Sequence, residues 1–402
     1  MSMRSPAGHH PFVREDLGED LFHATAHYTI HCLAFKGGLF CYIRFKMLAV
    51  ALSGGVDSSV AALLLRASRP RMIGASHIIW PDSRCCSVEV LARARAVCRR
   101  LDIPYYQIDL QPEFAEWVVD DFVAAYLAGR TPNPCLRCNR FVRFGSFYGR
   151  LRERLTADGL LARDEELALA TGHYARVRRT EEGWALEKGR DPAKDQSYML
   201  HQVRRQMLPR LVLPLGELLK SEVTRKAAEL GLDYAAVKES QDACFVEGDY
   251  AEFIRSRTGR KELLSTGPIV DGRGRVLGRH RGILRYTVGQ RQGLGLAGGP
   301  WYVAGIEPEA NRLVVARRKE VERRSFEVEE VNWLIEPPAA PLECGVKVRY
   351  RSAEVPARVE PEPASPDSGR ARVALERPEI ITPGQSAVFY RGERVLGGGV
   401  MR

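Results

Sequence analysis

Residues 47–59 read Met-Leu-Ala-Val-Ala-Leu-Ser-Gly-Gly-Val-Asp-Ser-Ser, and this stretch decides the fold. Its apolar part, 48–52, is typical of a strand buried on both faces, and 58–67 is predicted to be a helix rich in Ala and Leu. A Gly-rich turn between strand and helix directs backbone N–H groups and the positive helix end at an anion. The stretch therefore predicts a phosphate site at the edge of a parallel sheet, and a plain turn capped by Asp57 or Ser58 is the alternative.

Strands and helices continue to alternate downstream of this stretch. We predict strands over 72–80, 105–110 and 167–171, a helix over 87–101, and, after the strand at 105–110, a second helix that carries Phe114, Val118, Phe122 and Ala125 on one stripe. Both helices carry apolar residues at the three- and four-residue spacing of a buried stripe. Repeated β-α-β units give a parallel sheet with helices on both faces. The predicted class is therefore α/β, with an N-terminal doubly wound sheet.

The pattern changes after about residue 248 and again after about 318. Glycine-rich turns and short segments follow the first change, and alternating strands follow the second, with a long hairpin loop predicted at 355–368. Several short strands at even spacing indicate a small β-barrel. We therefore expect four parts: a disordered extension or mis-annotated start at 1–46, a catalytic domain at 47–248, a small central domain at 249–318 and a C-terminal β-barrel at 319–402.

Composition narrows the class of protein. The 402 residues are 45% hydrophobic and 27% charged, which excludes wholesale disorder. No apolar run reaches the roughly 18 residues of a membrane span, so we expect a soluble protein. The formal net charge of +10 suits a polyanionic partner. Nine unevenly spaced cysteines, without a signal-peptide pattern, favour free thiols in a reducing cytoplasm.

Six motifs together resemble one known family. The loop at 53–59 is similar to that of the N-type ATP pyrophosphatases, which have the HUP, or adenine nucleotide alpha hydrolase-like, fold and cleave ATP to AMP and pyrophosphate. The other five occur in family order and resemble those of the tRNA-specific 2-thiouridylases over about residues 47–402. They are Gly-Arg-Thr-Pro-Asn-Pro-Cys-Leu-Arg-Cys-Asn at 129–139, Thr-Gly-His-Tyr-Ala-Arg at 171–176, Lys-Asp-Gln-Ser-Tyr at 194–198, Ser-Gln-Asp-Ala-Cys-Phe at 240–245 and Thr-Pro-Gly-Gln-Ser-Ala-Val-Phe-Tyr at 382–390.

The resemblance implies ATP-dependent 2-thiolation of the wobble uridine of tRNA, through adenylation of the uracil 2-oxygen. It implies ATP and Mg²⁺ as cofactors, with Asp57 as the residue that positions the metal. His77 would line the adenine site through its backbone. The implied ATP-binding residues are Ala51, Leu52, Ser53, Gly54, Gly55, Val56, Asp57, Ser58, His77 and Gly172.

Sulfur transfer needs a soft nucleophile, and two cysteines suffice if one carries a persulfide and the other resolves the product as a disulfide. The resemblance gives the persulfide to Cys244 and makes Cys138 the partner thiol. This scheme gives Cys135 no role in sulfur transfer. Three thiolates could instead hold three irons of a [4Fe–4S] cluster whose fourth iron carries a sulfide, so both schemes stay open. Cys98 is interpreted as an inert buried thiol.

The tRNA contacts implied by the resemblance lie in several parts of the chain. Asn133, Pro134 and Cys135 would meet the target base, with His173 near it. The residues expected to contact the rest of the tRNA are Lys194, Asp195, Gln196, Arg349, Tyr350 and Gln385. The expected partners are tRNAs for Lys, Glu and Gln and a cysteine desulfurase or sulfur-relay protein, with no membrane.

Two other functions would use part of the same pattern. An amide- or guanidine-forming synthetase has the same phosphate loop but needs no paired cysteines. A non-catalytic RNA-binding protein could use Cys135 and Cys138 to hold zinc, but zinc needs four ligands and no second pair stands at suitable spacing. Pyrophosphate release in the presence of tRNA and ATP separates the three functions.

Overall fold

A computed structural model describes the fold of the chain over residues 47–66, 71–80, 86–232, 243–362 and 369–402, together with the backbone of 30–35 and 38–43. The chain forms two compact units, Met1–Arg44 and Phe45–Arg402. In the first unit, β1 (Ile30–Phe35) and β2 (Gly38–Ile43) pair antiparallel. The expectation of disorder or a mis-annotated start at 1–46 otherwise falls outside the described residues.

The N-terminal part of the second unit alternates strands and helices as predicted. Its elements are β3 (Met47–Ala51), α1 (Val56–Arg66), β4 (Met72–Ile78), α2 (Val88–Leu101), β5 (Tyr105–Asp109), α3 (Gln111–Phe114), a π-helix (Ala115–Asp120), α4 (Asp121–Leu127), α5 (Pro134–Arg137), a second π-helix (Cys138–Ser146), α6 (Phe147–Ala157), β6 (Leu167–Ala170), β7 (Ala175–Thr180), β8 (Gly183–Lys188), α7 (Ser197–Leu200), a 3₁₀-helix (Arg205–Arg210), β9 (Leu211–Val212) and α8 (Lys220–Glu229).

Five of these strands form a parallel sheet in the order β5-β4-β3-β6-β9, so the predicted doubly wound α/β class is confirmed. In β3 the residues from Met47 to Val50 are all buried, because helices cover both faces of the sheet. The strand order reverses beside β3. Open α/β sheets bind ligands at the carboxyl ends of the strands around such a point.

The central part is a small mixed sheet in the order β11-β10-β13-β12, in which β10 and β13 are parallel. Its glycine-rich turns agree with the short segments predicted after residue 248. The elements are α9 (Tyr250–Thr258), a 3₁₀-helix (Lys261–Leu264), β10 (Gly267–Asp271), β11 (Val276–His280), a further 3₁₀-helix (Ile283–Arg285), β12 (Tyr302–Glu307), β13 (Arg312–Ala316) and α10 (Arg318–Val321).

The C-terminal part is a closed six-stranded barrel, as predicted. Its strands pair in the order β14-β17-β16-β15-β18-β19, and β14 pairs with β19 to close the ring. The strands are β14 (Glu322–Trp333), β15 (Leu342–Lys347), β16 (Val355–Pro361), β17 (Ala371–Ile380), β18 (Ser386–Arg391) and β19 (Arg394–Met401).

The prediction of a loop over 355–368 is wrong for the first half of this segment, because Val355–Pro361 is strand β16. Val355, Ala357 and Val359 are buried in the barrel, while the residues between them are exposed. This alternation with period 2 is what a barrel strand requires. Proline is depleted in strands, so the prolines of this segment make the alternation difficult to recognise in the sequence.

The barrel and the catalytic region share one sheet. Strand β19 pairs with β8 of the β7–β8 hairpin, with Val395 opposite Leu186. Further along the same edge of β19, β14 bulges away between Glu329 and Asn332, and Glu330 has a φ of +52°. Gly397 and Gly399 approach β14 at this bulge, where a Cβ on Gly399 would lie 2.5 Å from the carbonyl oxygen of Glu329.

Candidate active site

The phosphate loop lies at the carboxyl end of the central strand β3, where the sequence predicts it. Gly54 has a φ of +65°, and a Cβ there would lie 2.4 Å from the carbonyl oxygen of Val90, so only glycine fits. The Ser58 and Ser59 hydroxyls donate to the carbonyl oxygen of Gly55 at 3.1 and 2.9 Å. The structure therefore brings the eight predicted residues 51–58 together at the N-terminus of α1.

Gly172 and His77 border this loop from the two neighbouring strands. Gly172 follows β6, and a Cβ on it would lie 2.7 Å from the backbone nitrogen of Ser58. His77 lies near the end of β4, buried with its ring edge-on to Phe147. The ATP-binding residues predicted from the sequence thus lie at the ends of three adjacent strands, β4, β3 and β6.

Asp57 is ion-paired across the site to a residue that the sequence analysis missed. The Lys220 Nζ lies 2.7 and 2.9 Å from the two carboxylate oxygens of Asp57, and the Tyr174 hydroxyl donates to Oδ1 at 2.9 Å. Lys220 is the first residue of α8 and Asp57 lies in the first turn of α1, so two helix N-termini meet here. A cation at a helix N-terminus opposes the helix dipole, and that mismatch was the signal available in the sequence.

The two histidines of the site are neutral at physiological pH. Burial, together with the nearby Arg143 guanidinium, lowers the pKa of His77 to about 3 and that of His173 to about 3. The Nδ1 of His173 lies 2.7 Å from the Thr171 hydroxyl, which fixes the ring. Neither imidazole therefore carries a positive charge in the free protein at neutral pH.

The cysteine-bearing helix begins at a well-defined cap. Asn133 accepts a hydrogen bond from the Cys135 backbone N–H at 3.2 Å, and Pro134 occupies the first helical position. Cys135 is exposed and Cys138, one turn later, is buried. The structure therefore brings these four predicted residues together on one helical turn.

Cys244 is half-buried on a separate segment. The next residue, Phe245, packs edge-on against Phe114 and Phe122, with ring centroids 5.5 and 5.3 Å apart. The preceding motif residues 240–242 lie outside the described part of the chain. The helical run from α3 to α4 therefore supports the segment that carries Cys244.

The other described cysteines differ from these three. Burial raises the pKa of Cys98 to about 12 and that of Cys344 to about 12, so both thiols stay protonated. Cys86 is buried, and its thiol donates to the carbonyl oxygen of Trp80 at 3.2 Å. Within the described ranges, no cluster of three or more His, Cys, Asp or Glu side chains could hold a metal ion.

Segment 129–133 contacts all three domains. The Thr131 N–H donates to the carbonyl oxygen of Pro383 at 2.9 Å, and the Gln385 side chain donates back to the Thr131 carbonyl oxygen at 2.8 Å. The Thr131 hydroxyl lies 3.1 Å from that of Thr287 in the central domain. The segment predicted to meet the target base is thus hydrogen-bonded to both the barrel and the central domain.

Other residues predicted to touch tRNA make internal contacts in the free protein. The Asp195 carboxylate accepts from the backbone N–H groups of Gly189 and Ser197, both at 3.0 Å. The Tyr350 hydroxyl donates to the Asp195 carbonyl oxygen at 3.0 Å, and the Gln196 side chain accepts from the Tyr174 N–H at 2.9 Å. Arg349 donates to Thr382 at 3.3 Å, and Lys194 is half-buried beside Asp195 in the sequence.

A cavity of about 190 Å³ lies between the cysteine-bearing helix and the barrel. Asn133, Arg137, Arg140 and Gln202 line it from the catalytic domain, and Glu330 lines it from the β14 bulge. Arg137 is ion-paired to both Asp121 and Glu330, and these carboxylates raise its pKa despite its burial. The barrel thus contacts the helix within the turn that carries Cys135 and Cys138.

Comparison with protein families defines the class of this protein. Residues 46–248 match the tRNA methyl transferase HUP domain, 252–317 the tRNA methyl transferase PRC-barrel domain and 323–401 the aminomethyltransferase beta-barrel domain. A HUP domain with a phosphate loop at the switch point of its sheet fits ATP binding. The chain therefore consists of an ATP-binding α/β domain followed by two β-rich domains.

Sequence relatives identify the family within this class. The chain is 46% identical over 362 residues to the tRNA-specific 2-thiouridylase MnmA of Chloroflexus aurantiacus, covering 87% of this chain and 96% of that protein. It is 44% identical over 363 residues to the tRNA-specific 2-thiouridylase MnmA of Acidithiobacillus ferrooxidans, covering 88% and 97%. The chain belongs to the tRNA-specific 2-thiouridylase family.

Solved structures give weaker matches. The NH3-dependent NAD synthetase from Campylobacter jejuni matches with a TM-score of 0.27 and 18% identity, covering 55% of this chain and 78% of that chain. The U34-tRNA thiolase NcsA from Methanococcus maripaludis, with its [4Fe-4S] cluster, matches with a TM-score of 0.27 and 15% identity, covering 55% and 67%. Likenesses of this size carry no argument about the present chain. Across the described ranges, no helix is long and apolar enough to cross a membrane.

Proposed function

We propose that this enzyme is a tRNA-uridine 2-sulfurtransferase, which replaces the 2-oxygen of the wobble uridine of tRNA with sulfur in an ATP-dependent reaction. One observation carries the proposal: a phosphate loop and a capped Cys-x-x-Cys turn belong to the same HUP domain of a chain of the 2-thiouridylase family. Adenylation makes the uracil oxygen a leaving group, and a cysteine supplies the sulfur nucleophile.

The phosphate loop is the ATP site in this proposal. The backbone N–H groups of 53–58 and the N-terminus of α1 would hold the pyrophosphate end, since both favour anions. The Asp57 carboxylate fits Mg²⁺, a hard cation that prefers oxygen ligands and is held by one or two carboxylates together with substrate phosphates. When bound, the metal would neutralise phosphate charge. Lys220 would then leave Asp57 and pair with a phosphate oxygen.

Sulfur transfer is assigned to Cys244 and Cys138. The terminal sulfur of a Cys244 persulfide attacks carbon 2 of the adenylated uracil, and AMP leaves with the original oxygen. The Cys138 thiolate then attacks Sγ of Cys244, so that a Cys138–Cys244 disulfide forms and the electron pair of the broken S–S bond remains on the uracil sulfur. A thiol reductant restores both cysteines before the next persulfide is loaded.

The tRNA would enter over segment 129–135, with Asn133, Pro134, Cys135 and His173 around the flipped base. Lys194, Asp195, Gln196, Arg349, Tyr350 and Gln385 would contact the rest of the tRNA once their internal contacts open. Acceptors for Lys, Glu and Gln are the proposed substrates, and a cysteine desulfurase or relay protein is the proposed sulfur source. We place the reaction in the cytoplasm, where thiols stay reduced.

Nucleoside mass spectrometry of unmodified tRNA tests the proposal. The tRNA is incubated with the enzyme, ATP, Mg²⁺, cysteine and a cysteine desulfurase, and 2-thiouridine should appear with release of pyrophosphate. Cys138→Ser and Cys244→Ser should abolish thiolation but not pyrophosphate release, while the matched Cys344→Ser change in the barrel should leave both intact. Absence of 2-thiouridine with the wild-type enzyme would contradict the proposed function.

Cys135→Ala separates the two sulfur schemes. A persulfide on Cys244 should still thiolate tRNA at a reduced rate, because Cys135 takes no part in that exchange. A cluster held by three cysteines would lose one of its ligands. Iron and sulfide analysis of anaerobically purified protein, with single-turnover thiolation by this variant, distinguishes the schemes. Thiolation that requires added iron and sulfide would overturn the persulfide route.

A further inference from the structure

Arg140 differs electrostatically from the other arginines that line the cavity between the cysteine-bearing helix and the barrel. Arg130 is ion-paired to Glu329 at 2.8 Å, and Arg137 is ion-paired to Asp121 and Glu330. Arg140 forms no ion pair with any carboxylate in the described ranges. The three carboxylates that line the cavity, those of Asp121, Glu329 and Glu330, are therefore already ion-paired to other arginines. Arg140 has no such carboxylate partner in the described ranges.

The guanidinium of Arg140 is also incompletely hydrogen-bonded. Its Nη1 donates to the side-chain oxygen of Gln202, but its Nε is buried and has no partner among the described residues. The ring of Phe141 lies 5.2 Å from its Cζ and is itself stacked on Trp117, with ring centroids 4.6 Å apart. The guanidinium thus lies beside an aromatic ring that the Arg137 guanidinium also approaches, at 5.4 Å, while the Nε donor of Arg140 is unused.

The surroundings of Arg140 disfavour its own charge. Burial, together with the charges of Arg137 and Arg204, lowers the pKa of Arg140 although Glu330 acts in the opposite direction. Burying an unpaired charge is costly, and buried donors without partners are rare in folded proteins. An anion supplied by a ligand would remove both costs.

We infer that Arg140 binds a phosphate group of the tRNA backbone in this cavity, next to the base-binding segment; the inference rests on the proposed function. The planar guanidinium of arginine presents several N–H donors in a geometry that matches phosphate oxygens. The cavity also includes Asn133, the cap of the helix turn that carries Cys135 and Cys138. A phosphate held here would fix the backbone close to the nucleotide that reacts.

The first test measures tRNA affinity at several salt concentrations, without ATP or a sulfur donor. Arg140→Gln should weaken binding about tenfold at 0.1 M salt, because a charge-assisted contact is lost. It should also lower the slope of log affinity against log salt by about 0.7–0.9. The matched control is Arg205→Gln, which removes a half-exposed arginine paired with Glu336 and should change neither quantity.

A second test separates this role from a structural one. Because the Arg140 charge is unpaired in the free protein, Arg140→Met should leave the Tm unchanged or raise it. A lower Tm with unchanged tRNA affinity and salt slope would overturn the inference. ATP and inorganic pyrophosphate should bind Arg140→Gln as they bind the wild type, and loss of their binding would assign the site to ATP instead.

Single methylphosphonate substitutions along the anticodon arm locate the contact. One neutralised phosphate should weaken binding to the wild type about as much as Arg140→Gln does, and should have no further effect on that variant. If every position weakens both proteins equally, Arg140 does not bind a tRNA phosphate. Thiolation by the wild type is measured in parallel, so failure of the proposed function is seen separately.

Discussion

Lys220 adds to the phosphate loop a charge that the loop itself does not contain. Its Nζ neutralises Asp57 in the free protein, and α8 is held against α1 by an apolar cluster that includes Val60, Ala61 and Val223. A lysine beside two helix N-termini makes the site strongly favourable for an anion. The Lys220–Asp57 ion pair also compensates the charge of the Asp57 carboxylate before ATP binds.

Lys220→Met should weaken ATP binding at least tenfold, since a charged hydrogen bond to phosphate contributes about 1.5–3 kcal/mol. The tRNA affinity should stay within a factor of two, because Lys220 lies at the proposed ATP site and not among the residues proposed to contact tRNA. Isothermal titration with ATP and Mg²⁺ measures the effect, with Lys261→Met in the central domain as the control. Unchanged ATP affinity would show that Lys220 only balances Asp57.

Buried histidines make stability depend on pH. Burial lowers the pKa of His77 and that of His173 to about 3, and that of His201 to about 4, all below the ordinary value of 6.5. Below pH 6.5 the unfolded chain therefore binds protons that the folded chain does not. The folded state loses stability as the pH falls from 6.5 toward 4, by up to about 1.4 kcal/mol per pH unit for each histidine.

Urea unfolding at pH 7.5 and pH 5.5 should show this loss directly. His201→Asn should show a smaller difference between the two pH values, because it removes one of these groups and leaves a donor for the Tyr198 carbonyl oxygen. Equal stability of the wild type at both pH values would contradict the prediction.

At the scale of elements, the contact between the loop after β6 and helix α1 fixes the ATP site. Gly172 allows the two backbones to approach, and no side chain fits between them. The sequence indicated both segments, because each carries a local pattern of strand, glycine and helix. It could not indicate that they would touch.

Gly172→Ala should reduce ATP affinity at least tenfold and lower the Tm, because the new Cβ would lie 2.7 Å from the Ser58 nitrogen and must displace the phosphate loop. Gly149→Ala on α6 is the matched control: no atom lies within 4 Å of its Cβ, so it should raise the Tm slightly through helix propensity. The measurements are ATP titration and thermal unfolding. Normal ATP binding by Gly172→Ala would show that the loop is not constrained from this side.

What the sequence could predict follows from how local each signal is. The order of strands and helices to α4 and the glycine turn between β3 and α1 depend on neighbouring residues, and the structure contains both. The Lys220–Asp57 pair joins residues 163 positions apart, and Arg137 meets Glu330 from 193 positions away. No periodicity encodes such pairs. The roles of Cys138 and Cys244 remain predictions because they depend on chemistry rather than on placement.

At the scale of the whole molecule, the shared sheet makes the catalytic region and the barrel one structural unit. Strand β19 closes the barrel against β14 and also extends the β7–β8 hairpin. Asn332 of the barrel donates to the carbonyl oxygens of His201 and Val203 at 2.7 and 2.9 Å. Neither part can lose its fold without exposing the buried surface of the other.

Calorimetry should therefore show a single cooperative transition for the catalytic region and the barrel. Saturating ATP and Mg²⁺ should move that whole transition to higher temperature, since a ligand that binds only the folded state stabilises every part coupled to it. Two resolved transitions, with only one moved by ATP, would contradict this coupling.

The pairing of β19 with β8 also sets an order of events during synthesis. Leu186 leaves the ribosome more than two hundred residues before its partner Val395. At a synthesis rate of 5–20 residues per second, roughly 10–40 s pass before β19 is available to pair with the edge of β8. During translation this strand is an open edge on which another nascent chain could pair. The catalytic region and the barrel thus join late in translation, and chaperones have that interval in which to protect the edge.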